Sequence, residues 1–265
     1  MAKAMLIDVT KCMGCRGCQV ACKEWNDLSA ETTACLGCYD NPEDLSPITW
    51  NRVEFYEYEQ AGQVNWFFRP VRCMHCIDAP CVKVCPTGAL YKHELGFTAY
   101  DESLCNGCGY CTQFCPFNVP RLKETTFLGK GKSSKCTFCQ DRVPAGQVPA
   151  CAKTCPPGAI QFGEREELLE KAQARLAYLR NGAPRPFPEA VLYNPSGVGG
   201  TAMMYILPEN NPGRFNLPEA PSGAVADVWQ KIIQPLGEVA LGATVLGVIA
   251  AFFITRRNIR MEEVE

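Results

Sequence analysis

Sixteen of the chain's eighteen cysteines fall into four quartets, and their spacing leaves the fold little freedom. The first quartet is Cys12, Cys15, Cys18 and Cys22, and the second is Cys73, Cys76, Cys81 and Cys85. The third is Cys105, Cys108, Cys111 and Cys115, and the fourth is Cys136, Cys139, Cys151 and Cys155. The first and third read C-x2-C-x2-C-x3-C, and the last three quartets each end in Cys-Pro, at Pro86, Pro116 and Pro156. One tight loop can wrap three thiolates at C-x2-C-x2-C spacing around three corners of an iron-sulfur cube. The fourth cysteine, three residues on and fixed by a following proline, points away and reaches a neighbouring cube. Zinc is the rival for any C-x2-C, but structural zinc sites use two ligand pairs separated by a longer stretch, a pattern that only the fourth quartet approaches. Disulfides are the other alternative in a cysteine-rich chain, and the regular quartets argue against them.

At 265 residues the chain suits one or two domains with a tail, and a formal charge of −2 offers no basic patch for nucleic acid. With 22 Gly and 20 Pro it is rich in turns, which predicts a thin apolar core held together largely by its clusters. Met5 to Val9 reads as a short strand entering the first cysteine loop. No charged segment followed by a long apolar run precedes it, so no signal peptide is expected. Near the other end, Val239 to Thr255 is uncharged and strongly apolar, and it extends upstream to Ile232 if Gln234, Pro235 and Glu238 lie at an interface. As a helix, 239–255 spans about 25 Å, and the extended segment exceeds a hydrocarbon core. The reading is one transmembrane helix, against a buried core or docking helix.

The quartets form an internal repeat in which each cysteine loop is followed by a short helical turn, and repeats of this kind come in pairs, two loops to two clusters. Eight strands or fewer should suffice. Between the first two quartets lies an insertion, 24–71, whose second half alternates as a strand does. Val53, Phe55 and Tyr58 belong to one strand, Ala61, Gly62 and Gln63 to a turn, and Val64 to Phe68 to the return. The aromatic residues of this hairpin suit packing against a cluster domain or, less commonly, a partner surface. Arg165 to Arg180 carries leucines at 168, 169, 176 and 179 among charges and ends at Asn181-Gly182, an amphipathic helix with a glycine stop. The following stretch, 183–226, is rich in proline and glycine with little periodicity, and is expected to lie extended along a neighbour or the chain's own surface.

The quartet set resembles the four-cluster subunits that serve molybdopterin or tungstopterin oxidoreductases, and within them the iron-sulfur (β) subunit of membrane-bound formate dehydrogenase. Beyond the cysteines, CQVACKEWNDL (18–28), YDNPEDLS (39–46), GCGYCTQFCPFNVPRL (107–122), CTFCQDRV (136–143) and YNPSGVGGTAMMYIL (193–207) look like that subunit, as does the single C-terminal anchor. The likeness covers nearly the whole chain. It implies that the first quartet pairs with the fourth and the second with the third. One cube would be held by Cys12, Cys15, Cys18 and Cys155, its neighbour by Cys136, Cys139, Cys151 and Cys22. A third would be held by Cys73, Cys76, Cys81 and Cys115, and the last by Cys105, Cys108, Cys111 and Cys85. No ligand position is replaced, so four 4Fe-4S clusters are expected and no 3Fe-4S cluster.

The implied fold is α+β, two ferredoxin-like double-cluster modules of short strands and helices plus one C-terminal transmembrane helix. Its parts would be a four-cluster domain at 1–163, an amphipathic helix and extended segment at 164–231, an anchor at 232–255 and a cytoplasmic tail at 256–265. The implied task is electron transfer from a molybdenum or tungsten formate dehydrogenase catalytic subunit to a membrane cytochrome b and quinone, with the bilayer as a further partner. The same relay serving a membrane hydrogenase or another molybdopterin enzyme is the alternative. Arg256, Arg257 and Arg260 follow the anchor against Lys231 before it, which puts the C-terminus in the cytoplasm and the cluster domain in the periplasm. The likeness implies that the domain crosses folded, with a catalytic partner that bears a twin-arginine signal.

Cys35 and Cys38 form a further C-x2-C outside the quartets, and a pair alone lacks the ligands for a cluster. His75, inside the second loop, either bonds a sulfur and tunes its potential or is a solvated loop residue, and it is not expected as a ligand. No nucleophile with a base appears, and Gly197-Val198-Gly199-Gly200 lacks the flanking strand and helix of a nucleotide site. No bond chemistry is expected of this chain.

Overall fold

The computed structural model describes residues 1–35, 37–60, 62–123 and 131–258. In chain order the strands are β1 (Lys3–Asp8), β2 (Arg52–Gln60), β3 (Gln63–Val71), β4 (Leu90–Lys92), β5 (Thr98–Tyr100), β6 (Arg121–Leu122), β7 (Ser133–Ser134), β8 (Ile160–Glu164), β9 (Val191–Tyr193) and β10 (Met203–Leu207). The helices are α1 (Gly17–Trp25), α2 (Pro80–Lys83), α3 (Tyr110–Gln113), α4 (Ala150–Lys153), α5 (Arg165–Asn181), α6 (Ala224–Val228) and, after a π turn at Trp229–Ile233, α7 (Gln234–Asn258). Ten strands among the described residues exceed the eight that the repeat suggested, and the surplus lies after the last cysteine loop.

A four-stranded sheet in the order β8-β1-β10-β9 organises the larger of two compact units, Met1–Gly223. β1 pairs parallel with β10, with Met5 opposite Met203, and antiparallel with β8. Because side chains alternate along a strand, the two central strands sort their residues by parity. Met5, Ile7, Met203, Tyr205 and Leu207 join the core that also holds cysteines of the quartets. Ala4, Leu6, Met204 and Ile206 turn to the other face, where Leu168, Ala172, Leu176 and Leu179 of α5 cover them. Those four residues form one stripe of α5, as its amphipathic pattern predicts. Arg175 of α5 also bonds the buried Asp8 at the end of β1, Nε to Oδ2 at 2.7 Å.

The segment 183–226 differs from its expectation. It supplies β9 and β10, and every residue of β10 is buried. The core is correspondingly more substantial than the glycine and proline content implied. β2 and β3 form the expected hairpin, with Phe55 opposite Phe68 and Tyr58 opposite Asn65. Of its turn, Gly62 adopts a φ of 73° and Ala61 lies outside the described residues. Tyr56 and Phe67 are buried against Phe215, which fits the packing role, while Trp66 stays half-exposed beside Tyr39 and Phe68.

The second unit begins at Ala224. Its helix, Ala224–Arg257, has a mean hydropathy of 2.0 over its most apolar window and none of that window is buried, so it is long and apolar enough to cross a membrane. Of the tail expected at 256–265, residues 259–265, Arg260 among them, lie outside the described residues.

If β10 is core, Ile206→Ala should cost about 2–5 kcal/mol, the usual range for deleting a buried aliphatic side chain. Thermal unfolding of the cluster-loaded protein, followed by circular dichroism, is expected to show a midpoint well below that of the exposed control Lys171→Ala. Equal midpoints would contradict this placement of the strand.

Candidate metal centres

Each quartet is built the same way. The third cysteine is the second residue of a short helix: Cys18 in α1, Cys81 in α2, Cys111 in α3 and Cys151 in α4. The residue before the second cysteine turns left-handed in all four loops, at Gly14 (φ 67°), His75 (φ 48°), Gly107 (φ 76°) and Phe138 (φ 63°). That turn folds the loop back so that the first two thiols face the same side as the third. Gly107 is obligatory for space as well, since a Cβ there would stand 1.8 Å from the Gly131 carbonyl oxygen.

The fourth cysteine follows one helical turn later and leaves its own loop. α1 packs against α4 and α2 against α3, so the departing cysteines exchange between partners. One pocket is lined by Cys12, Cys15, Cys18 and Cys155. A second is lined by Cys22, Cys136, Cys139 and Cys151. A third is lined by Cys85, Cys105, Cys108 and Cys111. Cys73, Cys81 and Cys115 crowd Cys76, where their thiolates would repel its own. We call these four groupings the Cys12, Cys136, Cys105 and Cys73 cages.

Their order can be read from which cages touch. Cys18 feels Cys151, Cys136 feels Cys73, and Cys81 feels Cys111. Cys73 and Cys136 also pack together with Leu45 and Val119. The row therefore runs Cys12 cage, Cys136 cage, Cys73 cage, Cys105 cage. The two inner cages are buried except at Cys115, which is partly exposed, whereas Cys15 and Cys108 bring the two outer cages to the surface.

Burial dominates the electrostatics of the thiols. Desolvation pushes Cys12 up to about 11, Cys136 up to about 12 and Cys139 up to about 11, and neighbouring thiolates add to the rise. A buried thiol of this kind ionises only when something in the cage compensates the thiolate, as bound iron does. Cys105 runs the other way. Burial raises it, but the backbone N–H of Ser133, the Tyr100 hydroxyl and the N–H of Gly107 outweigh that and leave it lowered. Ser133 contributes twice, since its Oγ stands 3.2 Å from Cys111 Sγ and donates to that sulfur once it is a thiolate.

The donor set fits cubes better than single ions. A tetrahedral zinc site with Zn–S near 2.3 Å brings its sulfurs to roughly 3.8 Å from one another. Among the described residues no group of three or more His, Cys, Asp or Glu side chains closes to single-ion geometry, although the thiols of three quartets line shared pockets. Buried donors without protein partners also belong to a residue that lines the Cys136 cage, namely Nε and Nη2 of Arg72. Such orphans suit an electronegative occupant.

Several residues at the cages were not singled out from sequence. Arg72 is 1% exposed, and its Nη1 lies 2.8 Å from Cys151 Sγ. Lys135 is likewise 1% exposed, with Nζ donating to the carbonyls of Thr98 at 2.9 Å and Cys136 at 3.0 Å. Each immediately precedes the first cysteine of its quartet, which was the available signal. His75 is fully buried, so the solvated reading does not hold. Its Nδ1 lies 3.2 Å from the Thr98 carbonyl oxygen, which can only accept. Burial, then Lys135 and Lys92, hold the ring's pKa well below its usual value, so the ring is neutral and its one N–H is spent on Thr98. The ring therefore donates to no sulfur, whereas the backbone N–H of His75 points to Cys73 Sγ at 3.5 Å. Cys35 and Cys38 are exposed and line none of the cavities described.

Four thiol cages in a row, built as two ferredoxin-like pairs, define an iron-sulfur electron-transfer protein. Residues 11–89 and 64–165 each match a 4Fe-4S dicluster domain. Over 250 residues the chain is 45% identical to the iron-sulfur subunit of the nitrate-inducible formate dehydrogenase of Escherichia coli, covering 93% of this chain and 83% of that one. It is 41% identical over 267 residues to the formate dehydrogenase iron-sulfur subunit of Haemophilus influenzae, covering 99% of this chain and 83% of the relative. A thiosulfate reductase electron transfer subunit of Salmonella typhi is 43% identical over 166 residues, 62% of this chain and 76% of that one. The chain belongs to the family of formate dehydrogenase iron-sulfur subunits, and its two dicluster domains carry four 4Fe-4S clusters.

With every quartet intact, iron and sulfide analysis of anaerobically purified protein is expected to give four 4Fe-4S clusters per chain. Electron paramagnetic resonance of the reduced protein should contain no stoichiometric 3Fe-4S signal. Half that iron, or such a signal, would contradict the cage architecture.

Proposed function

We propose that this chain is the electron-transfer subunit of a formate dehydrogenase complex, passing electrons from a molybdopterin or tungstopterin catalytic subunit to a membrane cytochrome b and from there to quinone. The observation that carries this reading is the single row of cages, exposed at both ends, in a chain so similar to formate dehydrogenase iron-sulfur subunits. Each 4Fe-4S cluster, when bound, accepts and releases one electron. The chain's own residues hold spacing, exclude water and set local charge. The ligand sets are Cys12, Cys15, Cys18 and Cys155; Cys136, Cys139, Cys151 and Cys22; Cys73, Cys76, Cys81 and Cys115; and Cys105, Cys108, Cys111 and Cys85. All sixteen fall within residues 1–163, which we take as the four-cluster domain. The buried inner cages favour transfer along the row, and the surface cysteines Cys15 and Cys108 mark where electrons enter and leave.

A second reading keeps the relay and changes the catalytic partner, because nothing in the cages recognises a substrate. The similarity to a thiosulfate reductase subunit supports it over part of the chain. Purifying the complex through a tag on this chain, identifying the large subunit and assaying formate-dependent dye reduction separates the two. Formate oxidation by the isolated complex is expected, and its absence alongside activity on another substrate would favour the second reading.

The helix Ala224–Arg257 is the proposed anchor, with the cluster domain on the periplasmic side and the C-terminus in the cytoplasm. Arg256 and Arg257 flank its far end, and positive residues stay inside. Protease treatment of spheroplasts is expected to cut the cluster domain and spare a tag placed after Glu265, and the reverse pattern would overturn the orientation. For the ligands, Cys15→Ser is expected to remove one cluster's iron and block formate-to-quinone turnover, since serine replaces a soft thiolate poorly. Replacing Cys35 and Cys38 together with serine should leave iron unchanged, and loss of a cluster there would make that pair ligands.

A further inference from the structure

The second and fourth quartets are counterparts in the repeat, and at the junction between the two modules their loops meet. His75 and Phe138 occupy the same position in the two loops, both are left-handed, and their rings contact edge to face at 4.9 Å. Arg72 and Lys135 are likewise counterparts, each standing immediately before the first cysteine of its loop. Their charged ends cross the junction in opposite directions. Arg72 precedes Cys73, yet its guanidinium sits on Cys151 and lines the cavity of the Cys136 cage. Lys135 precedes Cys136 and donates to its carbonyl at 3.0 Å, and the same ammonium shares the Thr98 carbonyl with His75, which stands inside the loop of the Cys73 cage.

Neither cation has a carboxylate partner among the described residues. The buried Arg52 and Arg69 provide the contrast, because both pair with Glu54. An uncompensated charge taken out of water is costly, and such charges persist where an anion is supplied. The anions nearest to hand are thiolate cages, which become one unit more negative when the cluster they hold is reduced. Arg72 Nη1 reaches Cys151 Sγ at 2.8 Å. Lys135 Nζ stands 2.9 Å from the Thr98 carbonyl oxygen, which also takes the ring N–H of His75, the residue between Cys73 and Cys76.

We propose that Arg72 and Lys135 are reciprocal positioning cations that set the potentials of the two inner clusters, Arg72 acting on the Cys136 cage and Lys135 on the Cys73 cage. Each module thereby supplies the charge that makes the other module's inner cluster easier to reduce. The electron crossing between modules then meets two matched sites rather than a step. The same arrangement offsets the repulsion between two adjacent reduced clusters, which low-dielectric surroundings would otherwise strengthen. The proposal rests on the ligand sets given above.

The test is redox potentiometry of the purified, cluster-loaded complex, followed by electron paramagnetic resonance. Each signal is assigned by its loss in a cysteine variant of that cage. Arg72→Gln is expected to lower the midpoint of the Cys136-cage cluster by at least tenfold in its reduction equilibrium, about 59 mV for one electron. Lys135→Gln should do the same to the Cys73-cage cluster. The charge-preserving Arg72→Lys and Lys135→Arg should recover most of each shift at equal iron content. Unchanged midpoints would overturn the proposal, as would shifts confined to the cation's own module or shifts equally large in the charge-preserving variants. Loss of iron in the neutral variants at both positions would also overturn it, by making the cations cage-holding groups. The cysteine variants test the ligand sets separately, through their iron content and the number of signals each removes relative to the unaltered complex.

Discussion

The whole arrangement depends on the fourth cysteine of each quartet leaving the loop that carries it. Cys22 departs to the Cys136 cage and Cys155 returns to the Cys12 cage, so the beginning and the end of the cysteine-bearing region meet in two shared cages. A link between residues so far apart removes more freedom from the unfolded chain than a local one does. The insertion at 24–71 lies inside that closed loop, and its hairpin adds length at little further entropic cost. The two short helix pairs, α1 with α4 and α2 with α3, bring the departing cysteines within reach.

Whatever binds chemically within a few residues was legible in the sequence, and whatever depends on long-range pairing was not. The quartets announce themselves because cube geometry fixes local spacing, and the hairpin at 52–71 announces itself by alternation. β10 carried no such sign. Met203-Met204-Tyr205-Ile206-Leu207 is a continuous apolar run because it is buried on both faces, so it shows neither the period of a half-exposed strand nor the length of a helix. Set among glycines and prolines, it resembled a loop. The partners that make it a strand are β1, almost two hundred residues earlier, and β9.

His75 illustrates a different limit. A histidine between two cluster ligands invites a role at the sulfur, and its type and position favour that reading. The decisive facts are a carbonyl from β5, which takes the one N–H of the neutral ring, and two cations from elsewhere in the chain that keep the ring neutral, which leaves the backbone N–H as the group that reaches Cys73 Sγ. Arg72 and Lys135 show the converse. Each looks like an ordinary basic residue flanking a loop, and only the fold shows that both are buried and turned toward the opposite module.

The four left-handed loop positions show how one repeat serves two environments. A non-glycine residue there costs roughly 1 kcal/mol more than glycine, by the contact between Cβ and carbonyl oxygen. The first and third loops use glycine, and their surroundings require it, since Gly14 lies under the Phe68 ring and Gly107 against the Gly131 carbonyl. The second and fourth loops accept the cost with His75 and Phe138, because there the loops face each other. Phe138 stacks on Phe97 at 5.1 Å while it meets His75, so the strained positions fill the junction with rings. All three rings are fully buried. Among buried rings a cation has a larger effect on its neighbour than it would at the surface. The bulk at these two loops and the charge carried by the residues preceding them thus work together, with packing lowering the dielectric in which the charges act.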